Sequence, residues 1–173
     1  MCIRDSHTTH HRVIIVTESI FSMDGDQADL QKLTELKRKY DNVLLYVDEA
    51  HAFGVRGRQG LGCAEEFHCI HDIDFLVGTF GKAAASVGAY IVCKKVIREY
   101  LINRMRTLIF TTGLPPINIA WTLFIVRRLA DMQERRKHLA HISRTLREAL
   151  QVRGYTCPSV SHIVPMIILS LIH

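Results

Sequence analysis

A chain of 173 residues with 48% apolar side chains can bury one substantial core, which excludes disorder as its organising state. Its 22 basic and 17 acidic residues leave +5, spread along the chain; this suits an anionic substrate weakly and excludes a strongly cationic nucleic-acid binder. Five irregularly spaced cysteines (Cys2, Cys63, Cys69, Cys93, Cys157) exclude a disulfide framework, and no apolar run reaches the length of a membrane span, so a soluble, cytoplasmic setting is expected.

In chain order, the opening MCIRDSHTTHHR has no useful period. It and the closing LSLIH read as junction sequence, with His7, His10 and His11 in a disordered end. VIIVTES predicts a strand from Val13, and FSMDGD a turn. Leu30, Leu33, Leu36 and Tyr40 recur at helical spacing, with Asp26 as the expected N-cap. A buried parallel strand over 43–47 then runs into Asp48, Glu49, Ala50 and His51, and Gly54, Gly57, Gly60 and Gly62 mark a loop. IDFLVGTF predicts a second buried strand ending at Gly81 and Lys82. VGAYIVC predicts another strand, Lys94 to Arg106 a helix, and LIFTTG one more short strand before Pro115-Pro116. Helices are expected from Ile117 to Leu129 and again to Gly154, the second with Leu139, Ile142, Leu146 and Leu150 on one face. The basic run from Arg127 to Lys137 falls there and reads as a solvated helix face, and VPMIIL opens a final strand.

Strands alternating with helices predict an α/β fold with a mostly parallel, helix-flanked sheet over residues 1–134. Residues 135–173 read as the truncated start of a smaller α+β lobe.

Two polar clusters end continuous apolar strands: Asp48 with His51, and Thr79 with Lys82. In a parallel sheet, such ends share the edge at which ligands bind. Singly, Asp48 and His51 could be capping groups and Lys82 a surface lysine. Together they are the parts of a pyridoxal phosphate site: a lysine for the carbonyl, a carboxylate for the pyridine nitrogen and an imidazole beside the ring. A lysine against apolar walls would also have a depressed pKa. Asp48-Glu-Ala-His51 also spells a helicase-type ATPase box, but that chemistry needs an upstream phosphate-cradling loop, and the only Gly-Lys, Gly81-Lys82, lies downstream. A zinc site from Cys63, His68, Cys69 and His71 lacks ligand spacing, so no metal is expected.

Four motifs in order, TESIFSMDGDQADL, VDEAHAFGVRGRQGLG, GTFGKAAASVGAY and FTTGLPP, resemble the α-oxoamine synthases, fold-type-I pyridoxal phosphate enzymes. The resemblance covers roughly Val13 to Ile168. It implies that Lys82 is the Schiff-base lysine, that Asp48 pairs with the pyridine nitrogen, and that His51 and Ser22 lie near the phenolic oxygen. It places Thr79 on the cofactor and Thr112 toward the phosphate of a neighbouring subunit in a homodimer. The implied reaction is decarboxylative condensation of a small amino acid, alanine first, with an acyl thioester, pimeloyl-CoA or its carrier-protein form, as in biotin synthesis. Sister enzymes use glycine or serine. No nucleic acid or membrane partner is implied. Lys82-Ala-Ala-Ala-Ser86 departs from the glycines that members carry after the lysine. The family's phosphate loop, ring-stacking histidine and carboxylate-binding arginine have no counterpart here, so the chain reads as the middle of an enzyme, inactive by itself.

Overall fold

The computed structural model of this chain describes residues 12–166. Branched, apolar sequence builds three strands, β1 (Val13–Glu18), β2 (Val43–Asp48) and β3 (Phe75–Thr79), paired in parallel. A fourth, β4 (Ala89–Cys93), returns antiparallel on β3, so the sheet order is β1-β2-β3-β4. The period of two sends Leu45, Val47 and Leu76 into the core together with Ile15, Ile73 and Leu30. Leu45 and Val47 are wholly buried, each contributing about 1.5–3 kcal/mol relative to exposure.

Helix α1 (Leu30–Lys39) carries Leu30 into that core. Its orientation is held by Asp74, just before β3, whose carboxylate lies 2.7 Å from Lys37 Nζ and accepts from Leu45 N at 2.8 Å. The N-cap is Asp29, which accepts from Lys32 N at 3.0 Å, and not Asp26. The reason is local: Asp26 O closes the preceding turn by accepting from Phe21 N, and the Ile20–Gln27 bridge keeps the chain extended beyond it.

A short helix, α2 (Cys63–Glu66), follows the glycine loop, and β4 leads into α3 (Lys95–Arg104). The strand expected over LIFTTG is absent. Residues Arg106–Ile109 form a helical turn, α4, in which Phe110 N bonds back to Arg106 O at 3.0 Å, and they pair with none of the sheet's strands. Pro115-Pro116 starts α5 (Pro116–Arg128), and α6 (Gln133–Val152) completes the helices.

Of the apolar face of α6, Ile142 is 45% and Leu146 51% exposed, while Leu139 and Leu150 are half-buried. Arg136 and Ser143 are buried instead. The guanidinium of Arg136 donates to the carbonyls of Leu129 at 2.5 Å, Arg58 at 2.5 Å and Ala130 at 3.4 Å, which turns that side of the helix inward. Val164–Met166 form no strand; the rest of the expected VPMIIL strand, the closing LSLIH and the amino-terminal histidines lie outside the described residues. Among the described residues no helix is long and apolar enough to cross a membrane.

Candidate active site

Parallel register places Glu18 beside Asp48, and Asp48 beside Val77, two residues before Thr79. The carboxyl ends of β1, β2 and β3 therefore share one edge, as the strand-end clusters predict. After Asp48 the chain reverses in one helical turn, with Ala52 N and Phe53 N both bonding to Glu49 O at 2.9 and 2.8 Å. The turn carries His51 to the lysine: Lys82 Nζ lies 2.8 Å from His51 Nε2.

Burial depresses the basicity of His51 most, and the charge of Lys82 depresses it further, while Glu18 and Asp48 oppose them. A neutral imidazole so placed can accept a hydrogen bond at Nε2 from the lysine. Asp48 Oδ1 accepts from Ala50 N at 2.7 Å, which leaves Oδ2 for a further donor. Thr79 Oγ1 accepts from Gly81 N and donates to Gly88 O, both at 3.1 Å, pinning the lysine turn to the end of β4.

Lys82 is exposed, not walled by apolar groups as expected. Its turn is instead held from behind. Trp121 Nε1 on α5 donates to Ala84 O at 3.2 Å and Ala85 O at 3.1 Å, and Thr122 Oγ1 bonds Ser86 Oγ at 2.8 Å. Ala85 takes φ +48°, a strained value for a residue with a Cβ. Gly54, at φ +82°, backs against the same turn; a Cβ there would lie 2.6 Å from that of Ala83. Of the alanines after the lysine, Ala84 is buried, while Ala83 and Ala85 are exposed. Ser22 is exposed in the turn after β1, and Thr112 is exposed between α4 and α5.

Glu49, which the motif reading passed over, is fully buried and joins three segments. Ser19 Oγ donates to Oε2 at 2.6 Å, Cys63 N to Oε2 at 3.0 Å and Ala64 N to Oε1 at 2.6 Å. It therefore caps α2 and ties the ends of β1 and β2 to the glycine loop. Desolvation raises its pKa against the pull of those donors. Strand alternation carries the signal that could have found it, because position 49 points opposite to position 48. Burial pushes the Cys63 thiol to about 12 and Cys69 to about 11, so neither is a reactive thiol at neutral pH.

An exposed primary amine beside a neutral-leaning imidazole, with a carboxylate oxygen available on the adjacent strand end, fits pyridoxal phosphate. Lys82 would meet its carbonyl group and Asp48 its ring nitrogen. Fold and edge together define a fold-type-I pyridoxal phosphate transferase.

Comparison with known proteins agrees. The chain belongs to the aminotransferase class I and II family, which matches residues 3–171, and the family is pyridoxal-phosphate dependent. A relative from Glaesserella parasuis serovar 5 is 61% identical over 160 residues, 92% of this chain and 42% of that protein. The 8-amino-7-oxononanoate synthase of Haemophilus ducreyi is 54% identical over 169 residues, 95% of this chain and 44% of that one. Among solved structures, serine palmitoyltransferase of Sphingomonas wittichii superposes with TM-score 0.84 at 33% identity, covering 91% of this chain and 40% of that one. The 8-amino-7-oxononanoate synthase of Francisella tularensis superposes with TM-score 0.79 at 29% identity over 94% and 48%. The serine palmitoyltransferase of S. paucimobilis, 30% identical with TM-score 0.83, was solved with PLP bound. The chain spans little more than two fifths of the curated relatives it matches. This family assignment replaces the ATPase reading of Asp48-Glu-Ala-His51.

Proposed function

We propose that this chain is the cofactor-holding centre of an 8-amino-7-oxononanoate synthase, which condenses L-alanine with a pimeloyl thioester, releases CO₂ and forms an aminoketone in biotin synthesis. The observation that carries the reading is the 2.8 Å contact between Lys82 Nζ and His51 Nε2 at the edge that also ends in Asp48 and Thr79. The names of the relatives support the choice of substrates, and the serine palmitoyltransferase neighbours support the wider family.

In this reading Lys82 would hold the cofactor through its carbonyl group, and the lysine amine, when free, would take the α-proton of the amino acid. His51 accepts hydrogen bonds from that amine, fixes where the proton sits, and can contact the phenolic oxygen. Asp48 keeps the ring nitrogen protonated. Bound there, pyridoxal phosphate supplies an electron sink for the carbanion formed at the amino acid's α-carbon. Thr79 holds the lysine turn and lies against the cofactor, with Ser22 near the phenolic oxygen. The exposure of Thr112 suits a role toward the phosphate in a second subunit of a cytoplasmic homodimer. Residues 1–134 would belong to the large domain and 135–173 to the start of the small one. The 173 residues alone would be inactive, the phosphate loop and substrate-carboxylate arginine being supplied elsewhere in the protein.

The test compares amino acids on the cofactor-loaded full-length protein. L-Alanine with a pimeloyl thioester should give product and CO₂, while glycine and L-serine should give little. A preference for serine with a long acyl thioester would replace this reading with the sister one that the structural neighbours represent.

A further inference from the structure

Helix α6 faces the body of the molecule with its basic stripe. Arg136, Lys137, Arg144 and Arg147 lie along that side, and Arg56 and Arg58 of the glycine loop stand opposite. With Val160–His162 they enclose a cleft of about 500 Å³, within the usual range for a small-molecule site. Glu66 is the one acid lining it, and Arg56 already holds that carboxylate at 2.7 Å. Lys137 pairs outward with Glu134.

The remaining positive charge has no counter-charge in the cleft. Arg136 is only 7% exposed; its terminal nitrogens go to backbone carbonyls, and its Nε has no hydrogen-bond partner. Arg147 Nη1 likewise donates to Ser161 O. His162 Nδ1, on the same wall, is buried without a partner. Carbonyls satisfy N–H groups but do not neutralise guanidinium charge, and confined like charges repel one another. Arg58 and Arg144 are exposed with side chains free to close on a ligand.

We propose that this cleft is a binding site for a small ligand bearing two or more phosphate groups. Arg58 and Arg144 would make the direct contacts, and Arg136 and Arg147 would supply the fixed positive field behind them. Several uncompensated guanidiniums call for more than one negative charge, and the guanidinium fork matches phosphate oxygens in pairs. Among the described residues no Phe, Tyr or Trp lines the cleft, so recognition is through charge and not through stacking on a base. Asp48 and Lys82 do not line it, so the site stands or falls independently of the cofactor reading.

Calorimetric titration of the cofactor-loaded full-length protein with inorganic pyrophosphate tests this. Saturable one-site binding is expected, weakening steeply with salt. The R58E/R144E double variant should raise Kd by about tenfold or more, and R58Q/R144Q should weaken binding in the same direction with less change in charge. R98E/R104E, which changes the net charge equally on α3, should leave Kd unchanged. Glutarate, with two carboxylates, should bind more weakly than pyrophosphate. No saturable binding, equal loss in R98E/R104E, or glutarate binding as tightly as pyrophosphate would overturn the proposal.

Discussion

Lys82 Nζ and His51 Nε2 lie 2.8 Å apart although 31 positions separate them in the chain. The contact exists because β2 and β3 run parallel and end at one edge, and because each is followed at once by a tight turn. Since the lysine's charge works with burial to depress His51, replacing Lys82 by alanine should raise the His51 midpoint toward its ordinary value of 6.5. Burial is the larger cause, so the rise should be partial. Proton NMR titration of the His51 ring in the wild type and in K82A measures it; an unchanged midpoint would show that the two side chains do not interact in solution.

Glu49 should matter more to stability than its exposed neighbours. In E49Q the amide NH₂ would face the N–H of Cys63 or Ala64, leaving a buried donor without an acceptor at a cost of about 1–3 kcal/mol. In a chain of this size Tm should drop by about 4–10 °C. Because burial raises the folded pKa of Glu49 above 4.5, its contribution is fully present below pH 4.5 and declines as pH rises through the folded pKa. The gap between wild type and E49Q should therefore be widest in acid and narrow toward neutrality. Thermal melts of both proteins across that range check the sign, and a gap that widens with pH would contradict it.

Gly54→Ala should disturb the lysine turn without touching a polar group. The added Cβ meets Ala83 at 2.6 Å, and φ +82° disfavours any side chain. A loss of about 1–3 kcal/mol is expected in urea unfolding, together with a shift in the His51 ring signals as the turn is pushed away. A neutral result would mean that the glycine loop does not press on Ala83.

Trp121→Phe keeps an aromatic ring but removes the indole's N–H-bearing ring. The Ala84 and Ala85 carbonyls lose their shared N–H, at a cost of about 1 kcal/mol. Hydrogen exchange of the amides from Phe80 to Ser86 should quicken while those of β2 stay protected. Uniform acceleration across the sheet would instead indicate a general loss of packing.

The sheet and its edge were legible because β2 and β3 are short, continuous apolar runs that end abruptly in polar residues. Lys82, Asp48, His51 and Thr79 follow from that pattern and from their motifs. LIFTTG reads as a strand by propensity, but that propensity is realised only through pairing, and residues 108–113 are not among the strands of the sheet. Apolar spacing identifies α6 as a helix but not which neighbour it meets; the carbonyls of Arg58, Leu129 and Ala130 bind Arg136. Asp26 is the expected N-cap of α1, but its carbonyl closes the turn on Phe21, and Asp29 caps instead.

The central claim is that Lys82 is the residue that holds the cofactor. Incubation of the protein with pyridoxal phosphate, borohydride reduction and peptide mapping by mass spectrometry tests it directly. The account predicts one dominant reduced adduct, on Lys82, lost in K82A and diminished when Asp48 is replaced by alanine. Adduct spread over surface lysines such as Lys94 and Lys95, with none favoured at Lys82, would contradict it.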